Sequence, residues 1–116
     1  MKSHLKDAYL RFASLLEAVE KAPGFPSLDP VEKKILESIA IAAKSGGKLL
    51  IGDIIFGNPL GSPATLGRRI SGLANKNLIK CIASPEDARK KYLQLTPKSD
   101  KYFEKLGELL IKVSDS

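Results

Sequence analysis

The sequence has 116 residues, 43% hydrophobic and 28% charged, with one histidine, one cysteine and no tryptophan, an ordinary composition for one globular domain. One cysteine allows no internal disulfide, and no zinc site of the His/Cys type or Ser-His-Asp triad finds supporting spacing; no apolar run approaches the ~20 residues that cross a bilayer. The formal charge is +6, and all of that excess lies in residues 62–105, with ten basic and four acidic side chains, which points either to a polyanion partner or to a solvated basic face.

From the N-terminus, charges recur every two or three residues, so the opening stretch reads as no signal peptide. Leu5, Tyr9, Phe12, Leu16 and Val19 follow a 4-3-4-3 spacing, which predicts a helix over 3–21 with one apolar stripe. Ala22-Pro23-Gly24 stops it, and 24–28 reads as a linker. Asp29, Pro30 and Glu32 spell a capping box with proline at the first helical position. The helix they open has Val31, Ile35, Ile39 and Ala42 or Ala43 on its buried side and ends at Ser45-Gly46-Gly47.

Residues 48–51 are apolar and too short for a helix, which suits a strand. Residues 52–56 read as a short helix with Asp53 in its first turn, and 57–61 as a turn. Ser62 then caps a helix with Pro63 first inside it and Leu66, Ile70 and Leu73 as its apolar stripe. At 100° per residue the opposite face presents Thr65, Arg68, Gly72 and Asn75, with Arg69 and Lys76 on its flank. Asn77, a residue that tolerates the left-handed conformation, closes the helix.

Residues 78–83 and 91–96 read as two strands, joined by a polar loop whose tip carries Glu86, Asp87, Arg89, Lys90 and Lys91. Thr96 and Pro97 open a last helix with Tyr102, Phe103, Leu106, Leu109, Leu110 and Val113 on its apolar face. The pattern is therefore mainly α with a small β-hairpin: a short helix, a turn, a polar second helix and a hairpin wing, flanked by extra N- and C-terminal helices. This is the layout of a winged helix-turn-helix, in which the second helix enters the major groove of duplex DNA. Arg68 and Arg69 can pair with guanine edges, Thr65 can meet thymine methyls or phosphates, and Gly72 allows close backbone approach. Arg89 can lie on phosphates or in a narrow minor groove, with Asp87 bracing it. Ser62, Thr65, Arg68, Arg69, Asn75, Lys76, Asp87, Arg89, Lys90 and Lys91 are accordingly the candidate DNA-binding residues.

Ser62-Pro63-x-Thr65-Leu66, Leu78-Ile79, Ser84-Pro85-Glu86-Asp87-x-Arg89 and Leu95-Thr96-Pro97, in this order, resemble the DNA-binding core of the MarR (multiple antibiotic resistance regulator) winged-helix transcription factors. The resemblance covers about a third of the chain well, and a looser similarity runs from Asp29 to Leu110. It implies a DNA-binding regulator acting as a two-fold dimer, with Asp87 and Arg89 as the wing pair and, in many members, a small-molecule effector; the single cysteine fits a reducing cytoplasm. Asn77 stands where the family usually has glycine. In the family a further C-terminal dimerisation helix follows where this sequence ends. The expected domains are an N-terminal dimerisation helix and linker over 1–28, the winged core over 29–96, and a C-terminal dimerisation helix over 97–116. The expected partners are double-stranded DNA and a second copy of the chain, with no cofactor, metal or membrane and no enzymatic activity. A winged-helix module that binds an acidic protein surface is the alternative. Cys81, mid-strand, reads as half-buried packing or a redox switch, and His4 as a surface residue.

Overall fold

The computed structural model describes residues 2–56 and 58–114. Gly57, with which the predicted turn begins, lies outside the described residues, as do Met1, Asp115 and Ser116 at the ends of the expected domains. In chain order the elements are α1 (Lys2–Glu20), α2 (Pro30–Lys44), β1 (Leu49–Leu50), α3 (Ile51–Ile55), α4 (Pro63–Asn75), β2 (Ile79–Ala83), β3 (Lys91–Leu95) and α5 (Pro97–Ser114). They fall into two units, one of Leu28–Ser99 and one of Met1–Ser27 with Asp100–Ser116.

In the first unit each helix begins and ends where local chemistry demands. The α2 capping box is complete: the Asp29 side chain accepts from the Glu32 N–H at 2.8 Å, and the Asp29 N–H donates to Glu32 Oε1 at 3.0 Å. At the other end Gly46, at φ +77°, lets its N–H reach the Ala43 carbonyl and the Gly47 N–H reach that of Ala42. Helix α4 repeats the logic. The Ser62 side chain accepts from the Thr65 N–H, and Asn77 sits at φ 61° with its N–H on Ala74 and the Leu78 N–H on Leu73. That doubled closure is the Schellman motif, which an asparagine supports at less strain than most residues.

The core of this unit is Ile35, Leu36 and Ile39 of α2, Ile54 of α3, Leu66, Ile70 and Leu73 of α4, and Leu78, Ile79 and Leu93 around the sheet. The sheet has order β1-β3-β2 and is antiparallel throughout. Leu49 pairs with Leu93, and Ile79 through Ala83 pair in register with Leu95 through Lys91. The two-residue β1 thus borrows its ladder from the returning arm of the wing, so the strand that leads into α3 and the hairpin share one sheet. Cys81, expected to be half-buried, is exposed.

In the second unit, the turn Ala22-Pro23-Gly24-Phe25 after α1 closes with a hydrogen bond from Phe25 N–H to the Ala22 carbonyl, Gly24 standing at φ +83°. Phe25 stacks on Tyr102 with ring centroids 5.0 Å apart, and Tyr102 meets Phe103 edge-on at 5.1 Å. Tyr102 and Leu109 are buried, whereas Leu5, Tyr9 and Leu10 of α1 and Leu110 and Ile111 of α5 are exposed. Among the described residues no helix is long and apolar enough to cross a membrane.

Candidate nucleic-acid interface

Helix α4 has three kinds of surface. Leu66, Ile70 and Leu73 are buried. Ala64, Arg68, Ser71 and Asn75 are exposed and, at 100° per residue, fall on one narrow stripe. Between the two lies a flank of Thr65, Arg69, Gly72 and Lys76, all half-buried. Thr65 Oγ1 accepts from Ser62 Oγ at 3.0 Å, which ties it to the N-cap.

The flank is occupied by the start of α2. Arg69 Nε lies 2.8 Å from Asp29 Oδ2. The Lys76 ammonium donates to both oxygens of Glu32, each at 2.9 Å. Glu32 is only 6% exposed, so its charge relies on these partners. Gly72 completes the fit, because a Cβ there would stand 3.0 Å from Glu32 Oε2. The close approach expected at Gly72 is taken up within the chain itself. Its missing side chain makes room for a carboxylate of the same unit rather than for a groove. Arg69 and Lys76 have their cationic ends on carboxylates, not on the open stripe. Ser71 and Ala64, absent from the sequence-level face, belong to that stripe.

The C-terminus of α4 is held as firmly. Thr96 Oγ1 donates to the Asn77 carbonyl at 2.7 Å, and Lys98 Nζ donates to the Lys76 carbonyl at 2.8 Å. Thr96 and Ser99 are both buried and exchange hydrogen bonds, Ser99 N–H to Thr96 Oγ1 and Thr96 N–H to Ser99 Oγ. The last residues of α4 and the first turn of α5 are therefore one hydrogen-bonded cluster.

In the wing, the Ser84 N–H donates to the Lys90 carbonyl at 2.8 Å and the Lys90 N–H to the Asp87 carbonyl at 2.9 Å, closing the loop. Arg89 reaches back to Asp87 with Nε at 3.2 Å from Oδ1 and Nη2 at 3.3 Å from Oδ2, while its backbone N–H donates to Oδ1 at 3.0 Å. The Arg89 side-chain bonds, reinforced by that backbone N–H, hold the Asp87 carboxyl below the usual carboxylate range. Arg89, Lys90 and Lys91 are exposed. The base of the wing meets α4, where Cys81 shares a depression with Ile70, Ser71 and Ala74; the tip residues Arg89 to Lys91 instead border α3, around Ile55 and Phe56. Lys48 Nζ sits 4.7 Å above the Tyr92 ring, adding a cation near the same sheet.

No family model matches the chain, and comparison with curated proteins finds none that matches. Solved structures do match in fold. A MepR mutant from S. aureus superposes with a TM-score of 0.65 at 20% identity, over 99% of this chain and 80% of that one. A probable transcriptional regulator from Pseudomonas aeruginosa gives 0.58 at 19%, over 98% and 79%. Bordetella bronchiseptica BpsR, whose DNA binding is regulated by 6-hydroxynicotinic acid, gives 0.56 at 19%, over 99% and 76%. The chain carries the MarR-like winged helix-turn-helix fold.

Proposed function

We propose that this chain binds duplex DNA as a homodimer in the cytoplasm and regulates transcription. The observation that carries the reading is the open stripe Ala64, Arg68, Ser71 and Asn75 on a helix fastened at both ends. A rigid, solvent-facing helix with a cation near its middle suits major-groove docking, where side chains meet base edges. Ser62 and Thr65 belong at the groove entrance through the helix N-terminus, which favours phosphate. Arg89, held by Asp87, and Lys90 and Lys91 are assigned to the backbone or minor groove. Arg69 and Lys76 enter this reading through their hold on α4. The exposed apolar residues of α1 and α5 are assigned to the second copy, and a two-fold dimer would present two stripes to successive groove turns. As in BpsR, where a small molecule regulates DNA binding, the reading allows an effector without naming one.

Fluorescence polarisation with random-sequence duplex, titrated across salt, tests it. The expected result is binding at low salt whose logarithm falls linearly with the logarithm of salt, by about 0.9 per phosphate neutralised. Absence of binding at low salt overturns the reading in favour of the protein-interaction alternative.

A further inference from the structure

We propose that Asp29 and Glu32 are positioning residues for DNA recognition: by holding Arg69 and Lys76 they set which face of α4 is presented to a groove. The inference rests on the DNA-binding reading above. It is unexpected on charge grounds, since a carboxylate beside a DNA-reading helix repels phosphate. The geometry accounts for it. The same two side chains close the capping box of α2 and ion-pair with two residues one α4 flank apart, seven positions in sequence and two helical turns along the axis. Two anchors two turns apart resist both rotation of α4 about its axis and tilt of one end away from α2. Rotation by one residue, 100°, would carry Arg68 off the open stripe. Gly72, between the anchors, admits the Glu32 carboxylate to within reach of Lys76. The clamp also assigns charges: Lys76 is neutralised within the domain, while Arg68 is left to the groove.

Glu32→Gln keeps an oxygen for the Asp29 N–H and so spares the capping box, but removes the charge that holds Lys76. Lys76→Gln removes the other partner. Each single variant and the double are compared with the natural chain on a duplex enriched from a random library and on a shuffled duplex, across salt, with thermal unfolding recorded in parallel. Glu32→Gln is expected to raise affinity for the shuffled duplex and steepen the salt dependence, as Lys76 is released to phosphate, while the ratio of selected to shuffled affinity drops roughly tenfold, the scale of one misread base pair. Lys76→Gln is expected to lower the ratio by a similar factor with an unchanged salt slope, because its charge is already neutralised. The double variant is expected to lose no more than either single, since both cut one link. A folded Glu32→Gln with an unchanged ratio overturns the proposal. So does a Lys76→Gln that flattens the slope and leaves the ratio intact, which would make Lys76 a direct phosphate contact. Failure of the natural chain to bind either duplex sinks the underlying DNA reading and the proposal with it.

Discussion

Thr96 Oγ1 and the Asn77 carbonyl, 2.7 Å apart and 19 residues apart in sequence, join the end of α4 to the start of α5. Asn77 is the left-handed residue that closes α4, and Thr96 is the residue whose side chain caps the next helix. One hydroxyl thus accepts from the first turn of α5 and donates to the carbonyl of the residue that closes α4. Thr96 is 2% exposed and its bond from the Ser99 N–H is buried, so water does not readily replace that bond. Thr96→Val keeps the shape and leaves both the Asn77 carbonyl and the Ser99 N–H short of a partner, which is expected to cost about 2 kcal/mol in urea unfolding. Thr96→Ser retains the hydroxyl and should recover most of that loss. Equal stability of the natural chain and Thr96→Val would remove this bond from the account of how α4 is held.

Asn77 itself separates conformational strain from hydrogen bonding, because its carbonyl survives any substitution. Asn77→Gly relaxes the positive φ and is expected to be neutral or slightly stabilising. Asn77→Ala places an alanine in the left-handed region and should cost about 1 kcal/mol by the same measurement.

Much of this architecture is legible in sequence because helix ends are local events. Asp29-Pro30-x-Glu32, Ser62-Pro63, Asn77 and Thr96-Pro97 each mark their boundary within a few residues, and the structure places the caps at those positions. The apolar stripe of α4 is equally plain, since Leu66, Ile70 and Leu73 repeat at helical spacing. The division of the polar side of α4 is not legible. Helical geometry puts Arg69 and Lys76 on a flank, but whether a flank faces solvent depends on Asp29 and Glu32, which lie 44 residues from Lys76 in the case of Glu32. Gly72 is ambiguous for the same reason: a missing side chain makes room without saying for what. Ser71 and Ala64 carry no charge to attract notice, although the same 100° arithmetic that selects Arg68 selects them. Leu36 falls between the apolar spacings assigned to α2, yet it is fully buried.

Arg68 and Leu66 are neighbours on α4 with opposite surroundings, one exposed and one fully buried. Leu66→Ala removes core volume and is expected to cost 2–5 kcal/mol of stability. Arg68→Ala should leave stability within about 0.5 kcal/mol and reduce discrimination between a selected and a shuffled duplex by ~1–3 kcal/mol, if the guanidinium reads a base edge. Loss of stability without loss of discrimination in Arg68→Ala would place its role in the fold rather than in recognition.

The wing pair carries a pH expectation with a definite sign. Arg89 lowers the Asp87 carboxyl below its ordinary range, so the charged form is favoured in the folded protein. A depressed carboxylate contributes while it is ionised and stops contributing as pH falls through the depressed value. The Asp87–Arg89 contact is therefore expected to hold at neutral pH and, as pH falls, to open at a lower pH than an unpaired aspartate would set. The Arg89 side-chain N–H resonances followed by NMR report this directly. Opening near neutral pH would contradict the geometry. Arg89→Ala is expected to weaken binding to selected and shuffled duplex alike and to flatten the salt slope by about one phosphate. Asp87→Asn should leave that slope in place, since Arg89 keeps its charge, and lower affinity only through loss of its brace.

The dimer expectation rests on exposed apolar side chains that the domain's own core does not use. Tyr9 is 67% exposed on α1 and Ile111 64% on α5, and Leu5 and Leu10 extend the first set. A stable dimer buries about 1,200–2,000 Å² in total, so an interface here would have to cover these residues together with their neighbours along both helices. Replacing Leu5 or Ile111 by glutamate puts a charge where water already reaches, so the helix content measured by circular dichroism should not change. In an interface the same charge is desolvated and costs several kcal/mol. Sedimentation is expected to find the natural chain as a dimer and Leu5→Glu and Ile111→Glu shifted toward monomer. Affinity for a duplex with two half-sites should then fall far more than affinity for one half-site, because the loss is of effective concentration rather than of any contact with DNA. A natural chain that sediments as a monomer at tens of micromolar, or variants that stay dimeric, would take α1 and α5 out of the interface and leave the two stripes without the spacing that groove recognition requires.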